Sequence, residues 1–182
     1  MLPLRLKAEH REQPLRGMGL LARRPDQFRL RGLNRRDAPL LAAHLLRLTP
    51  EDRRSRFHAG MSDAAISAYA RRIDWRRVFV FGVFIGGELR GVAELAPMPG
   101  KAGEVAVSVE QRFRHEGLGR LLVVAAMLAA RRLGMRQVFL DYLPRNTAMA
   151  ALMRELGAET QFRGLGVEAT IGLPARRGAQ TP

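Results

Sequence analysis

Residues 105–122 read VAVSVEQRFRHEGLGRLL, which joins an apolar strand, a basic loop with two glycines and the start of a long apolar helix. A strand that enters such a turn aims the free N–H groups of the next helix at one point. That point attracts phosphate groups, because the N–H donors and the partial positive charge at the start of a helix both favour an anion. The stretch therefore predicts a pocket for a phosphorylated cofactor.

The residues upstream of this stretch predict one short strand followed by three helices. Residues 28–33 suit the strand, and residues 35–48 carry apolar side chains at helical spacing. Thr49-Pro50 marks the start of the next helix, because it offers a hydroxyl cap and then a proline at the first helical position. The third helix is predicted over residues 63–73, behind Ser62.

A change to strand-like patterning follows these helices. Residues 78–85 and 88–95 predict a hairpin, because Gly86-Gly87 between them permits the positive φ angles of a two-residue turn. After a turn at residues 97–100, residues 104–109 form a third strand. The first part of the predicted sheet is therefore antiparallel.

The residues after the glycine loop predict a helical crossover. A helix over residues 117–133 carries the chain to a strand at residues 137–143, which must then run parallel to the strand before the loop. A helix at residues 146–156, stopped by Gly157, and a strand at residues 167–173 complete the pattern. The predicted fold class is α/β (α+β), with a mixed, mainly antiparallel sheet of six to seven strands and helices on both faces.

The composition is that of one basic domain. The 182 residues are 47% hydrophobic, enough for one core, and carry a net charge of +14. Such a charge attracts polyanions, but the arginines that dominate the 31 basic residues are dispersed, which favours a solvated basic surface over a nucleic-acid footprint. Residues 1–26 and 174–182 lack sustained periodicity, so a leader and a tail are expected around a domain at residues 27–173.

Several chemistries and locations are disfavoured by what the sequence lacks. Without cysteine, disulfides, thiolate catalysis and cysteine-bound metals are excluded. The four histidines are scattered without ligand spacing, so no metal is predicted. No apolar run is long enough to cross a bilayer and no secretion signal is evident, which leads us to expect a cytoplasmic protein.

The glycine loop and its surroundings resemble a known superfamily. Residues 114–119 read RHEGLG and match the arginine-x-x-glycine-x-glycine motif of the GNAT N-acetyltransferases, with the same strands and helices on either side. The resemblance is closest to the GNAT domain of bacterial protein lysine acetyltransferases, whose run of leucine, Pro-Glu and Arg-Phe is similar to Leu48, Pro50-Glu51 and Arg56-Phe57. It implies an acetyl-CoA-dependent N-acetyltransferase that uses no metal.

The predicted cofactor site follows from the loop and from this resemblance. Gly117 and Gly119 lack Cβ atoms and let a diphosphate approach the backbone, while nearby arginines add cationic donors. The resemblance implies that the pantetheine arm lies along residues 107–109 and contacts Asn146, although a helix cap accounts for Asn146 equally well. The predicted cofactor-binding residues are Val107, Ser108, Val109, Arg114, His115, Glu116, Gly117, Leu118, Gly119, Arg120 and Asn146.

Acetyl transfer to an amine also needs a base, because a lysine-like amine has a pKa near about 10.4 and arrives protonated. Glu104 stands at the start of the strand before the motif, where the related lysine acetyltransferases carry their catalytic glutamate; a solvated carboxylate at a strand edge is the alternative. Glu94 would lie opposite Glu104 if the hairpin around residues 98–100 were symmetric. Two neighbouring carboxylates raise the pKa of one of them, which suits a base.

The group that would protonate the departing thiolate is absent from its usual place. Many superfamily members carry a tyrosine seven residues after the asparagine of the last helix, and this chain has Met153 there. Tyr142, on the preceding strand, is the candidate replacement, with a core position as the alternative.

Three questions stay open at this stage. The acceptor is either a protein lysine or a small amine. The sequence does not determine the oligomeric state, and a homodimer is one of the possibilities. The alternative to an enzyme is a non-catalytic protein of the same fold that binds acyl-CoA or associates with nucleic acid.

Overall fold

One mixed sheet organises the computed structural model, which describes residues 28–174. The predicted leader, and all of the predicted tail except Pro174, lie outside this range. The elements in chain order are β1 (Arg29–Leu33), α1 (Ala38–Leu46), α2 (Pro50–Phe57), α3 (Asp63–Arg72), β2 (Phe79–Ile85), β3 (Glu88–Met98), β4 (Ala102–Val109), α4 (Leu118–Arg132), β5 (Gln137–Tyr142), α5 (Thr147–Glu155), β6 (Glu159–Arg163) and β7 (Gly166–Gly172).

The strands lie in the order β1-β2-β3-β4-β5-β7-β6, and every neighbouring pair except β4 and β5 is antiparallel. The parallel pair is the one predicted, because α4 carries the chain across the sheet between these two strands. The predicted fold class is confirmed. The sequence does not predict β6, an edge strand whose residues are all exposed and carry no alternation of apolar side chains.

Two apolar clusters, one on each face of the sheet, fix the helices. On the first face α1 and α3 cover β2 and β3, with Leu45, Ile66 and Val92 almost fully buried. On the second face α4 and α5 pack on the sheet through side chains such as Leu122 and Met153. Each such burial stabilises the fold by about 1.5–3 kcal/mol. The central strands are therefore held rigidly between two helical layers.

The start of α2 is fixed by the cap that the sequence predicts. Thr49 Oγ accepts the backbone N–H of Asp52 at 3.1 Å, and Pro50 occupies the first helical position. The helix ends at His58, whose φ of +54° lies in the left-handed region. A defined beginning and end give α2 a fixed set of side chains to present to the neighbouring strand β4.

The predicted register of β3 and β4 is wrong by two residues. Glu94 pairs with Ala106, and Glu104 pairs with Ala96. The difference arises because β3 continues to Met98 and the turn centres on Gly100, where φ is +77°. A shift of two residues keeps side chains on the same face of a sheet, so Glu94 and Glu104 still share a face as diagonal neighbours.

Candidate active site

A cleft opens where β4 and β5 separate. The two strands pair only at Ala102, Gly103 and Glu104 of β4, although β4 continues to Val109. Beyond that point the strands diverge, and a cleft of about 1000 Å³ lies between β4, α2, α4 and α5. We call this the cofactor cleft. Its wall along residues 107–109 is a strand edge that does not pair with β5, which suits backbone hydrogen bonds to an extended ligand.

The backbone at the mouth of the cofactor cleft adopts the conformation that the glycine motif predicts. Gly117 caps α4 with a φ of +78°, and His115, two residues earlier, has a φ of +63°. Left-handed residues beside a helix start turn successive N–H groups towards one place. The residue at the start of α4 is glycine, so it has no side chain of its own to accept the first N–H groups of this helix, and Gly117 to Arg120 line the cleft.

Gly119 gives a direct test of whether a cofactor fits here. It stands in the first turn of α4 without a positive φ, and a Cβ atom added to it would meet nothing within 4 Å. Glycine destabilises a helix relative to alanine, so neither the backbone nor the packing of the protein requires glycine at this position. A ligand that approaches the backbone closely does require it. The cleft therefore fits a diphosphate at this helix start.

Charged side chains from both walls surround the cofactor cleft. Arg114 forms an ion pair with Asp52 of α2 at 2.6 Å, and Arg145 lies 3.4 Å from Glu51. Arg120 of α4 is paired with a carboxylate of α5 at 2.7 Å. Three arginines thus line the cofactor cleft, and each is paired with a carboxylate.

The structure brings nearly all predicted cofactor residues into one place. Glu116 does not line the cofactor cleft; Asn146 does, and its side chain also accepts the N–H of Met149 at 3.1 Å, so the helix-cap role is present. Apart from Asn146, the contributions of α2 and α5 were not predicted, because these helices reach the cleft from parts of the chain outside the glycine loop. The predicted residues that line the cleft are Val107, Ser108, Val109, Arg114, His115, Gly117, Leu118, Gly119, Arg120 and Asn146.

A second pocket, of about 260 Å³, lies on the face of the sheet that α3 covers. Both predicted carboxylates open into it, but their surroundings differ. Glu94 is buried, whereas Glu104 is exposed and its side chain forms no hydrogen bond or ion pair with another residue in the range 28–174. The residues that line it, which we call the acceptor pocket, are Arg56, Tyr69, Arg72, Ile73, Val78, Glu94, Ala96, Glu104 and Ala106.

Glu94 is held by a buried network. Its Oε2 accepts the hydroxyl of Tyr69 at 2.5 Å, and its Oε1 lies 2.8 Å from Arg56 Nη2. Burial and the negative charge of Glu94 raise the pKa of Tyr69, so this phenol stays protonated. Burial acts against the charge of Arg56, but the charges of Glu94 and Tyr69 and the hydrogen bonds to them together outweigh it and raise the pKa of the guanidinium. In this network Glu94 positions its neighbours.

A second buried network lies behind the wall of the cofactor cleft and was not predicted. His44 Nε2 lies 2.9 Å from Ser108 Oγ, and His44 Nδ1 lies 3.2 Å from Glu110 Oε1. Glu110 also accepts hydrogen bonds from Arg47 at 2.8 Å and Arg90 at 3.0 Å. Burial opposes the charge on Glu110, but these donors outweigh it and lower its pKa. The network fixes α1 against β4.

The predicted replacement for the missing tyrosine is not supported. Tyr142 is 5% exposed within the apolar cluster under α4, on the opposite face from Glu104, and it lines neither cavity. Its neighbours in β5 alternate between faces, and this alternation turns it into the core. Met153 is fully buried in the same cluster, so the side chain at that position faces the core and not the cleft.

Two further features of the described range bear on the site. Every helix between residues 28 and 174 is too short or too polar to cross a bilayer. Within the same range, no three histidine, aspartate or glutamate side chains come close enough together to hold a metal ion.

Comparisons with known proteins agree with this fold. The GNAT domain of S. lividans PAT is 22% identical over 80% of this chain and 90% of its own, with a TM-score of 0.70. Spermidine N-acetyltransferase from Vibrio cholerae, solved with CoA and spermine, is 18% identical over 81% and 96%, with a TM-score of 0.64. At such identities these likenesses show the fold alone.

A third structure and the family match complete the comparison. The protein yncA from Salmonella typhimurium, solved with its cofactor acetyl-CoA, is 16% identical over 85% of this chain and 99% of its own, with a TM-score of 0.64. No curated protein matches the sequence significantly. Residues 43–158, more than half of the chain, match the acetyltransferase (GNAT) family. The chain therefore belongs to that family, as an N-acetyltransferase that takes its acetyl group from acetyl-CoA.

Proposed function

We propose that this enzyme acetylates an aliphatic primary amine, with Glu104 as the general base. The observation that carries the proposal is the position of Glu104 in a pocket that adjoins the cofactor cleft at Arg56. Glu104 has no partner among residues 28–174, so its lone pairs are available to accept a proton. Glu94, by contrast, is already engaged with Arg56 and Tyr69.

The cofactor cleft offers a separate group for each part of acetyl-CoA. The free edge of β4 at residues 107–109 binds the pantetheine arm through its backbone. The loop at His115 and Gly117 and the start of α4 bind the diphosphate, with Arg114 adding positive charge. When bound, the cofactor supplies an electrophilic thioester carbon. This arrangement directs the thioester end towards the acceptor pocket.

The acceptor pocket suits an alkylamine in shape and charge. Ile73, Val78, Ala96 and Ala106 give it apolar walls that pack against methylene groups, and Glu104 attracts the ammonium group. Glu104 then takes the proton of the attacking nitrogen, directly or through a water. A protein lysine and a small amine share this chemistry, and the protein's charge of +14 repels an acceptor that is basic overall.

The cellular location and the bounds of the catalytic domain are also proposed. We place it in the bacterial cytoplasm, because its donor is an intracellular metabolite and the structures compared above come from bacteria. Residues 27–173 are proposed to form the catalytic domain.

The test is CoA release, measured with a thiol reagent, on a panel of lysine peptides and small polyamines. The Glu104→Gln variant should lose about 10²- to 10⁴-fold in kcat on the accepted amine while it keeps its Kd for acetyl-CoA. Its residual rate should rise with pH, because the amine then arrives deprotonated. Glu159→Gln, which removes an exposed carboxylate on β6, is the matched control. An unchanged rate and pH profile in Glu104→Gln would exclude Glu104 as the base.

A further inference from the structure

Arg56 joins the two cavities. Of the residues that line the cofactor cleft and those that line the acceptor pocket, Arg56 is the one that belongs to both. The thioester carbon and the attacking nitrogen must meet at such a junction for acetyl transfer to occur. A cation here is therefore close to the reacting atoms.

The surrounding residues hold the guanidinium of Arg56 in place. Its side chain is 10% exposed, and Nη2 lies 2.8 Å from Glu94 and 3.2 Å from the hydroxyl of Tyr69. The guanidinium carbon lies 4.8 Å from the ring centroid of Phe57. A donor held this way needs no reorganisation during a reaction, which is the condition for strong electrostatic stabilisation.

Some N–H donors of Arg56 are not used by its neighbours. Both of its polar contacts use Nη2, so the N–H groups on Nε and Nη1 have no partner among residues 28–174. An arginine carries five N–H donors in a fixed plane, so the donors that its neighbours do not use remain available to a ligand. Such donors beside a substrate cavity are suited to an anionic ligand atom.

The reaction generates negative charge at this junction. Attack of the amine forms the C–N bond and moves an electron pair onto the carbonyl oxygen, and Glu104 takes the proton of the nitrogen. The C=O bond then re-forms as the C–S bond breaks and its electron pair leaves with sulfur. Solvent takes the second proton of the nitrogen and supplies one to the thiolate. Tyr142 lines neither cavity, and the side chain of Met153 has no proton to donate.

We propose that Arg56 is the catalytic cation that stabilises this negative charge, first on the carbonyl oxygen and then on the departing thiolate. This inference rests on the proposed function for its amine acceptor and on the cofactor cleft for its donor. Glu94 and Tyr69 are then positioning residues, since they act by fixing the guanidinium.

The experiment uses CoA alone and therefore does not depend on which amine is accepted. The thiol of CoA is titrated in complex with the protein by the ultraviolet absorbance of its thiolate. Free thiols of this kind have a pKa near about 8.5, and Arg56 should lower the value for bound CoA by about one pH unit or more. The Arg56→Gln/Glu94→Gln double variant should restore the value of free CoA.

The double variant is chosen because Arg56→Gln alone would leave Glu94 buried without its counter-charge. Thermal unfolding checks that each variant is folded. Arg56→Lys should keep part of the lowered thiol pKa, and Arg71→Gln, which removes an exposed charge outside both cavities, should keep all of it. On an accepted amine, the double variant should also lose about 10²- to 10³-fold in kcat.

The outcomes separate this proposal from the proposed function. If CoA binds the wild type and its thiol titrates as free CoA does, or if the double variant retains the lowered value, Arg56 does not have this role. If the wild type fails to bind CoA, the cofactor cleft is misassigned and both proposals fall together.

Discussion

A methyl group added at Gly119 should stabilise the free protein and lower its affinity for acetyl-CoA. In a helix, glycine is up to about 1 kcal/mol less favourable than alanine. Because a Cβ at Gly119 meets no atom within 4 Å, nothing in the protein opposes this gain. Gly119→Ala should therefore raise Tm by about 2–4 °C for a chain of this size.

The same substitution should interfere with the cofactor if the diphosphate binds at the start of α4 as proposed, since a methyl group at Gly119 would then occupy the space beside the backbone. We expect the Kd for acetyl-CoA, measured by isothermal titration calorimetry, to rise at least tenfold, which corresponds to about 1.4 kcal/mol. A rise in Tm together with a rise in the Kd for acetyl-CoA would distinguish this explanation from general damage to the fold, which would lower Tm.

Gly117→Ala provides the comparison. Its φ of +78° is unfavourable for alanine by about 1–2 kcal/mol, so this variant should lower Tm as well as weaken binding. The reasoning would be refuted if Gly119→Ala bound acetyl-CoA as tightly as the wild type. It would also be refuted if Gly119→Ala melted at a lower temperature, because the space beside the helix would then not be open.

Three further outcomes test other parts of the structure. Asp52→Asn should tighten CoA binding a few-fold at low salt and less at high salt, because it frees Arg114 for the phosphates; equal affinities in calorimetry would argue against this. The pKa of Glu110 is lower in the folded protein than its ordinary value of 4.5, so its carboxylate stabilises the fold fully above pH 4.5 and loses this effect as the pH falls through the folded pKa. The difference in unfolding free energy between wild type and Glu110→Gln, measured by urea titration, should therefore shrink in acid. Met153→Tyr should destabilise the protein by about 1–3 kcal/mol without raising kcat, since that side chain faces the core; a gain in kcat would show otherwise.

The two buried networks fix the walls of the site. His44 and Glu110 hold the β4 wall from behind, while Glu94 and Tyr69 fix Arg56 at the junction of the cavities. A buried polar group is stabilising only when it is paired, so each network specifies one arrangement of its helix and strand. The two catalytic proposals depend on this rigidity.

Local chemistry was enough to predict the helices, every strand except β6, and the left-handed glycine turn before α4. Thr49-Pro50 caps α2 as expected, Gly86-Gly87 turns the hairpin, and the helical crossover forces β5 to run parallel to β4. Each of these depends on neighbouring residues, which the sequence displays directly. The two glycines within residues 114–119 are likewise informative by themselves, because glycine can adopt backbone conformations that other residues rarely adopt.

The acceptor side of the site required the tertiary structure. Glu94 and Glu104 proved to be diagonal neighbours and not a facing pair, because the turn centres one residue later than symmetry suggests. Arg56 and Tyr69 reach Glu94 from helices that are distant along the chain, and pairing at such range is decided by packing. The sequence alone thus predicted which loop suits an anion, while only the folded chain determined which carboxylate is engaged, which is available, and which cation joins the two cavities, because these depend on contacts that no local pattern encodes.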